Sequence, residues 1–144
     1  MAAMRRFTDP EVAAAFGSYP SAIRRKMLAV RELVFDTAAK TDGVGPLEES
    51  LRWGEPAYLT TASKSGSTIR IAWKESRPNE YAMYFNCKTN LVPTFRRMFP
   101  GKLHCEGNRA LVFAARARVP TKELRRCIAL ALTYHRTGKG GATR

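Results

Sequence analysis

The sequence predicts an α+β fold: a mainly antiparallel sheet of about five strands, with two N-terminal helices, one inserted short helix and a C-terminal helix. The order of patterns predicts it. Apolar residues recur at helical spacing after Pro20 and again after Thr121, and short alternating, aromatic-rich runs separated by turn residues fill Leu47 to Phe113.

Asp9 is placed to cap a first short helix, with Pro10 at its first position and Glu11 in its first turn, where the helix dipole favours a carboxylate. Pro20 and Ser21 restart the chain into a longer helix. Its core stripe is Ile23, Met27, Val30 and Val34, and Arg24, Arg25, Arg31 and Glu32 fall largely on the solvated face. Gly43, Gly45 and Pro46 end the helical unit.

The predicted strands are Glu49 to Trp53, Ala57 to Thr61, Thr68 to Lys74, Tyr81 to Asn86 and Leu111 to Ala115, with a possible further edge strand around Leu103 to Glu106. Ser63 to Ser67, with Gly66, reads as a hairpin connection. Ile69, Ile71 and Trp73 alternate with Thr68, Arg70, Ala72 and Lys74, and Tyr81, Met83 and Phe85 alternate with Ala82, Tyr84 and Asn86. A sheet patterned this way is covered by helices on one side and shaped into a groove on the other. Asn90 is the expected cap of a short helix from Leu91 to Phe99, and Thr121 that of the last helix, whose buried stripe is Leu124, Cys127, Ile128 and Ala131.

At 144 residues the chain fits one domain, 1–144, with loose ends at about 1–8 and 137–144. A domain of this size buries about 68% of its unfolded surface, enough for a core without staples. A hydrophobic share of 44% argues against disorder. The cysteines Cys87, Cys105 and Cys127 have no regular spacing, and no charged and then apolar leader pattern opens the chain, so a cytoplasmic protein with reduced thiols is expected. Apolar runs such as Ile128 to Leu132 are far shorter than the roughly 20 residues a membrane span needs.

The net charge is +13, and residues 91 to 144 hold twelve Lys and Arg against two Glu. Such asymmetry fits an anionic or nucleic-acid partner, with Arg96, Arg97, Arg125 and Arg126 as candidate contacts in a stripe that could also take in Lys102, Arg109, Arg116 and Arg118, and fits equally a basic surface without a designated site. Neither a helix-turn-helix nor the aromatic strand motifs of an RNA-binding sheet is recognisable. No nucleophile elbow, phosphate loop, zinc-binding helix or catalytic carboxylate pair is present as a pattern, and Gly138 to Gly141 follow a helix rather than precede one. Adjacent His104 and Cys105 would point to opposite faces of a strand, which leaves no closed zinc site. A binding or accessory role without catalysis is the expectation, and an enzyme is unsupported rather than excluded.

The segment LEESLRWGEPAYL, Leu47 to Leu59, carries an acidic residue (Glu48 or Glu49), then Trp53 with Gly54, then Pro56 and Tyr58. In this motif, and in the order of elements over residues 10 to 136, the chain resembles the YdhG-like domain family of small bacterial proteins. The resemblance implies an α+β fold and, through a frataxin-like branch of that family, carriage of iron. Glu48, Glu49 and Glu55 are then the weak metal candidates, on a chain whose overall positive field repels cations.

The best candidate site is the Trp53 to Tyr58 corner, where Gly54 permits a tight bend and Pro56 fixes the turn that follows. Trp53 and Tyr58 would supply apolar contact, and Glu55 and Lys74 would orient a small ligand or protein partner. Tyr84 and Arg52 complete the groove if they face the same hollow. The alternative is that Trp53 and Tyr58 fill the core around a plain turn.

Overall fold

The computed structural model describes residues 4–137. Its elements are α1 (Pro10–Gly17), α2 (Ser21–Ala39), β1 (Glu48–Arg52), β2 (Glu55–Leu59), β3 (Ile69–Ala72), β4 (Glu80–Tyr84), α3 (Leu91–Met98), β5 (His104–Glu106), β6 (Ala110–Ala114), α4 (Thr121–Leu132) and α5 (Tyr134–Thr137). The short edge strand is real, and the antiparallel sheet has six strands in the order β1-β2-β3-β4-β6-β5. The expected glycine-rich tail, with Gly138 to Gly141, lies outside the described residues.

The Asp9 side chain accepts the Glu11 N–H at 2.8 Å and Pro10 opens α1, as the sequence predicts. Arg24 of α2 donates to the carbonyls of Phe16, Gly17 and Tyr19, closing the end of α1 against α2. Ile23, Met27, Val30 and Val34 are all buried. Arg31, expected on the solvated face, is buried as well, for reasons given with the site below. Residues 5–7, inside the stretch expected to be loose, run across α2: the Arg5 N–H donates to Glu32 at 2.9 Å and the Phe7 ring lies 5.4 Å from that of Phe16.

Two helix starts differ from expectation. Asn90 makes no side-chain cap, and the Thr89 hydroxyl instead accepts the Leu91 N–H at 3.3 Å. Thr121 is already helical, with Pro120 at the cap position; its hydroxyl donates to the Val119 carbonyl at 3.3 Å rather than capping N–H groups.

Strand alternation separates the two faces of the sheet. Tyr58, Ile69, Ile71, Tyr81, Met83, Leu111 and Phe113 join Met27, Val30 and Val34 of α2 and Leu124, Cys127, Ile128 and Ala131 of α4 in one core cluster. The opposite face carries a continuous row across all six strands, Ser50, Ala57, Arg70, Tyr84, Ala110 and Glu106, each paired with the next. Small residues on either side of Arg70 and Tyr84 leave those two side chains standing above an otherwise low floor.

The connection from β2 to β3 also closes α4. The Ser67 N–H and the Ser65 hydroxyl donate to the carbonyls of Ala131 and Leu132 at 2.8 and 2.7 Å, satisfying groups left open at a helix end. Gly66 is required there because a Cβ would stand 2.5 Å from the Leu132 backbone.

Candidate functional site

The corner around Trp53 is a two-residue hairpin loop. Arg52 pairs with Glu55, so Trp53 and Gly54 alone join β1 to β2, both with positive φ, 56° and 76°. Positive φ at both central positions is what a type I′ two-residue hairpin turn requires, and Gly54 meets it freely. For a bulky residue such as Trp53 the same backbone is uncommon and strained. The indole nevertheless projects into solvent, 85% exposed. Pro56 lies within β2 rather than in the turn; β3 pairs only from Ala57 onward, so the missing N–H leaves no gap in that ladder.

Tyr58 belongs to the core. It is fully buried, and its hydroxyl donates to the Glu49 carboxylate at 2.9 Å. Burial, reinforced by the Glu49 charge, pushes this phenol well above its ordinary pKa and keeps it a donor. Glu49 also takes two N–H groups from Arg31, at 2.6 and 3.0 Å. The other Arg31 N–H groups reach the carbonyls of Arg5 and Arg6 and the Glu32 carboxylate, while the Phe7 and Phe35 rings lie 4.0 and 5.2 Å from its guanidinium carbon. All five donors are thereby satisfied, which is what allows a guanidinium to sit where a helix pattern would put a solvated residue.

The carboxylates proposed for iron do not gather. Glu49 faces the core and is taken up by Arg31 and Tyr58, Glu48 pairs with Arg52 at 3.6 Å, and Glu55 pairs with Arg70. Among the described residues no group of three or more His, Cys, Asp or Glu could hold a metal ion. The donor set does not fit an oxygen-rich cation site.

What does gather is positive charge around one aromatic ring on the open face. Arg70, Lys74 and Arg109 lie 5.2, 5.3 and 5.5 Å from the Tyr84 ring centre. Beside it is a hollow of about 390 Å³, lined by Arg52 and Trp53 from the hairpin tip with Thr68, Arg70, Tyr84, Asn86 and Arg109. A second hollow of about 510 Å³ shares Tyr84, Cys87 and Arg109 with the first and adds Lys74, Arg77, Asn108 and the Glu106 carboxylate that Arg77 holds. Glu55 holds Arg70, and Arg77 is held by Glu80 and Glu106; Lys74 and Arg109 have no carboxylate partner among the described residues.

Of the sequence candidates, Trp53, Tyr84 and Arg52 therefore share one hollow, Lys74 joins from the adjoining one, Glu55 acts through Arg70, and Tyr58 drops out. Arg70 was missed, although the alternation along β3 already set it on the same face as Lys74, and Arg109 was expected only as part of a basic stripe of the C-terminal third. The basic residues of the C-terminal third have other partners in part: Arg125 pairs with Asp36 of α2 at 2.7 Å, and Arg96 donates to the Gly107 carbonyl at 2.7 Å. No helix among the described residues is long and apolar enough to cross a membrane. Comparison with protein-family models, curated proteins and solved structures gives no match.

Proposed function

We propose that this chain is a noncatalytic binding domain whose ligand site is the open sheet face around Tyr84, and that its ligands pair an anionic group with an unsaturated ring. One observation carries the proposal: three cations crowd a single aromatic ring, two of them without a carboxylate partner among the described residues. Like charges brought together on a folded surface repel, and an anion seated among them relieves that repulsion. Guanidinium groups suit phosphate and carboxylate because they donate two parallel hydrogen bonds. Tyr84 and Trp53 offer the apolar, stackable surface, and hollows of this size are those of small-ligand sites.

The order of elements supports including the YdhG-like resemblance in this proposal. Three free thiols favour the cytoplasm as the setting. The basic C-terminal third then contributes solubility and a general positive field, with Arg109 the cation it brings to the site.

Calorimetric titration with adenosine monophosphate and with pyrophosphate tests the reading. Arg70→Ala and Arg109→Ala should each weaken both ligands by about tenfold, the size of one charge-assisted hydrogen-bonded contact. Tyr84→Leu should weaken adenosine monophosphate and spare pyrophosphate. Unchanged binding in the Arg70→Ala/Arg109→Ala double variant would overturn the site.

A further inference from the structure

We infer that the occupant of this face is single-stranded nucleic acid, its phosphates tracking the cations and its bases stacking on Trp53 and Tyr84. The inference rests on the anion-binding reading above and narrows it. The two hollows share Tyr84, Cys87 and Arg109 in their linings, so they adjoin at the ring, and a strand could run from one to the other as along a trough. Its cations lie along that length, Arg52 and Arg70 in one hollow, Arg109 in both and Lys74 in the other. One mononucleotide would engage a part of them, whereas a strand presents a phosphate at every nucleotide and meets them in succession.

The aromatic groups argue for unpaired bases. An indole held 85% exposed on a strained backbone buries little within this chain, yet it is a stacking surface at one wall of the trough. Bases reach such rings only when splayed out of a duplex, and a charged groove with interspersed aromatics is the form of sequence-tolerant single-strand sites. An acidic peptide would satisfy the cations and leave both rings unused. A duplex is read mainly by an element inserted into a groove, and the row across this face consists of strand residues with alanines at two positions.

Fluorescence anisotropy of dye-labelled oligothymidylates with the wild-type chain tests this directly, with thymidine monophosphate, a duplex of matched length and a polyglutamate peptide as competitors. Affinity should rise by more than tenfold from the monophosphate to a strand of about eight nucleotides, a span within single-strand site sizes. Duplex and polyglutamate should compete at least tenfold more weakly. Arg109→Ala and Lys74→Ala should each lower the salt slope of binding by about one. Trp53→Asn, which keeps the turn, should weaken the oligonucleotide several-fold and leave pyrophosphate unaffected.

Equal affinity for monophosphate and oligonucleotide would overturn the strand inference while the anion-binding reading stands. Stronger competition by duplex or by polyglutamate would overturn it in the same way. Oligonucleotide binding that survives Arg70→Ala/Arg109→Ala and is lost in Arg96→Ala/Arg97→Ala would overturn both.

Discussion

Arg31 of α2 and Glu49 of β1 form a two-point ion pair inside the protein, with hydrogen bonds of 2.6 and 3.0 Å and no solvent exposure of the Arg31 side chain. Through it the N-terminal segment, α2, β1 and, by way of Tyr58, β2 are held in one network. Removing Glu49 leaves the buried Arg31 with Glu32, at 3.3 Å, as its one carboxylate among the described residues and takes the acceptor from the buried Tyr58 hydroxyl. Glu49→Ala should therefore destabilise by about 3–5 kcal/mol, measured by urea denaturation. Arg31→Met/Glu49→Leu should recover part of that loss, because no buried charge remains, while the Tyr58 hydroxyl still lacks its acceptor. A Glu49→Ala loss below 1 kcal/mol would mean that water reaches the pair.

The same pair shows what a sequence pattern conceals. The α2 stripe and the faces of β3 and β4 were legible because periodicity reports burial of apolar groups directly. Arg31 was placed outside because its partner lies in another element, and nothing local marks a charge that will be matched across the fold. Arg52 and Lys74 were legible beside the hairpin corner, but Arg70 was hidden differently. It comes from residues 41 to 90, where Lys and Arg balance Asp and Glu, so segment charge pointed past it to the C-terminal third. Only strand register brings it together with Arg109 around Tyr84.

Gly66 separates a steric requirement from a conformational one. Its Cβ would meet backbone, which cannot swing aside as a side chain does, so Gly66→Ala must displace the loop that closes α4. The expected loss is about 1–3 kcal/mol in thermal or urea unfolding, the range for overpacking. Gly17→Ala is the control, since a Cβ there meets nothing within 4 Å and alanine is the better helix former. Equal effects at the two positions would contradict the packing.

Trp53→Asn should raise stability while lowering binding. Asparagine tolerates positive φ, and Asn-Gly is the preferred pair for a two-residue hairpin of this form, so the substitution should relieve about 0.5–1 kcal/mol of backbone strain. The indole it removes is almost wholly in solvent and gives up little packing. A fall in melting temperature would show that Trp53 has a structural role that its exposure conceals.

Acid should weaken the fold partly through Asp36 and Glu106. Hydrogen bonds from Arg125 and then Lys40 hold the Asp36 carboxyl below its ordinary pKa, and a hydrogen bond from Arg77 does the same for Glu106. The unfolded chain takes up these protons first. Their stabilisation is complete above the unfolded carboxylate values, about 4, and is lost as pH falls through the lower folded values. Asp36→Asn/Glu106→Gln should accordingly show a shallower fall of melting temperature from about pH 5 downward. Parallel curves for the wild type and the variant would show that neither pair contributes.

Cys87 provides a chemical reporter of occupancy. It is exposed and lines both hollows, whereas Cys127 is fully buried with its thiol pushed up to about 12 by burial, and burial also raises Cys105. Thiolate is the reactive form, so a maleimide at neutral pH should modify Cys87 first and reach Cys127 only through unfolding. A strand lying in the trough passes over Cys87, and saturating oligothymidylate should slow its modification at least several-fold. The rate at Cys127 should fall much less, because it follows global stability rather than access to the trough. Protection of Cys87 that disappears in Arg70→Ala/Arg109→Ala would tie the effect to the face around Tyr84. An unchanged Cys87 rate at saturation would place the ligand elsewhere on the molecule.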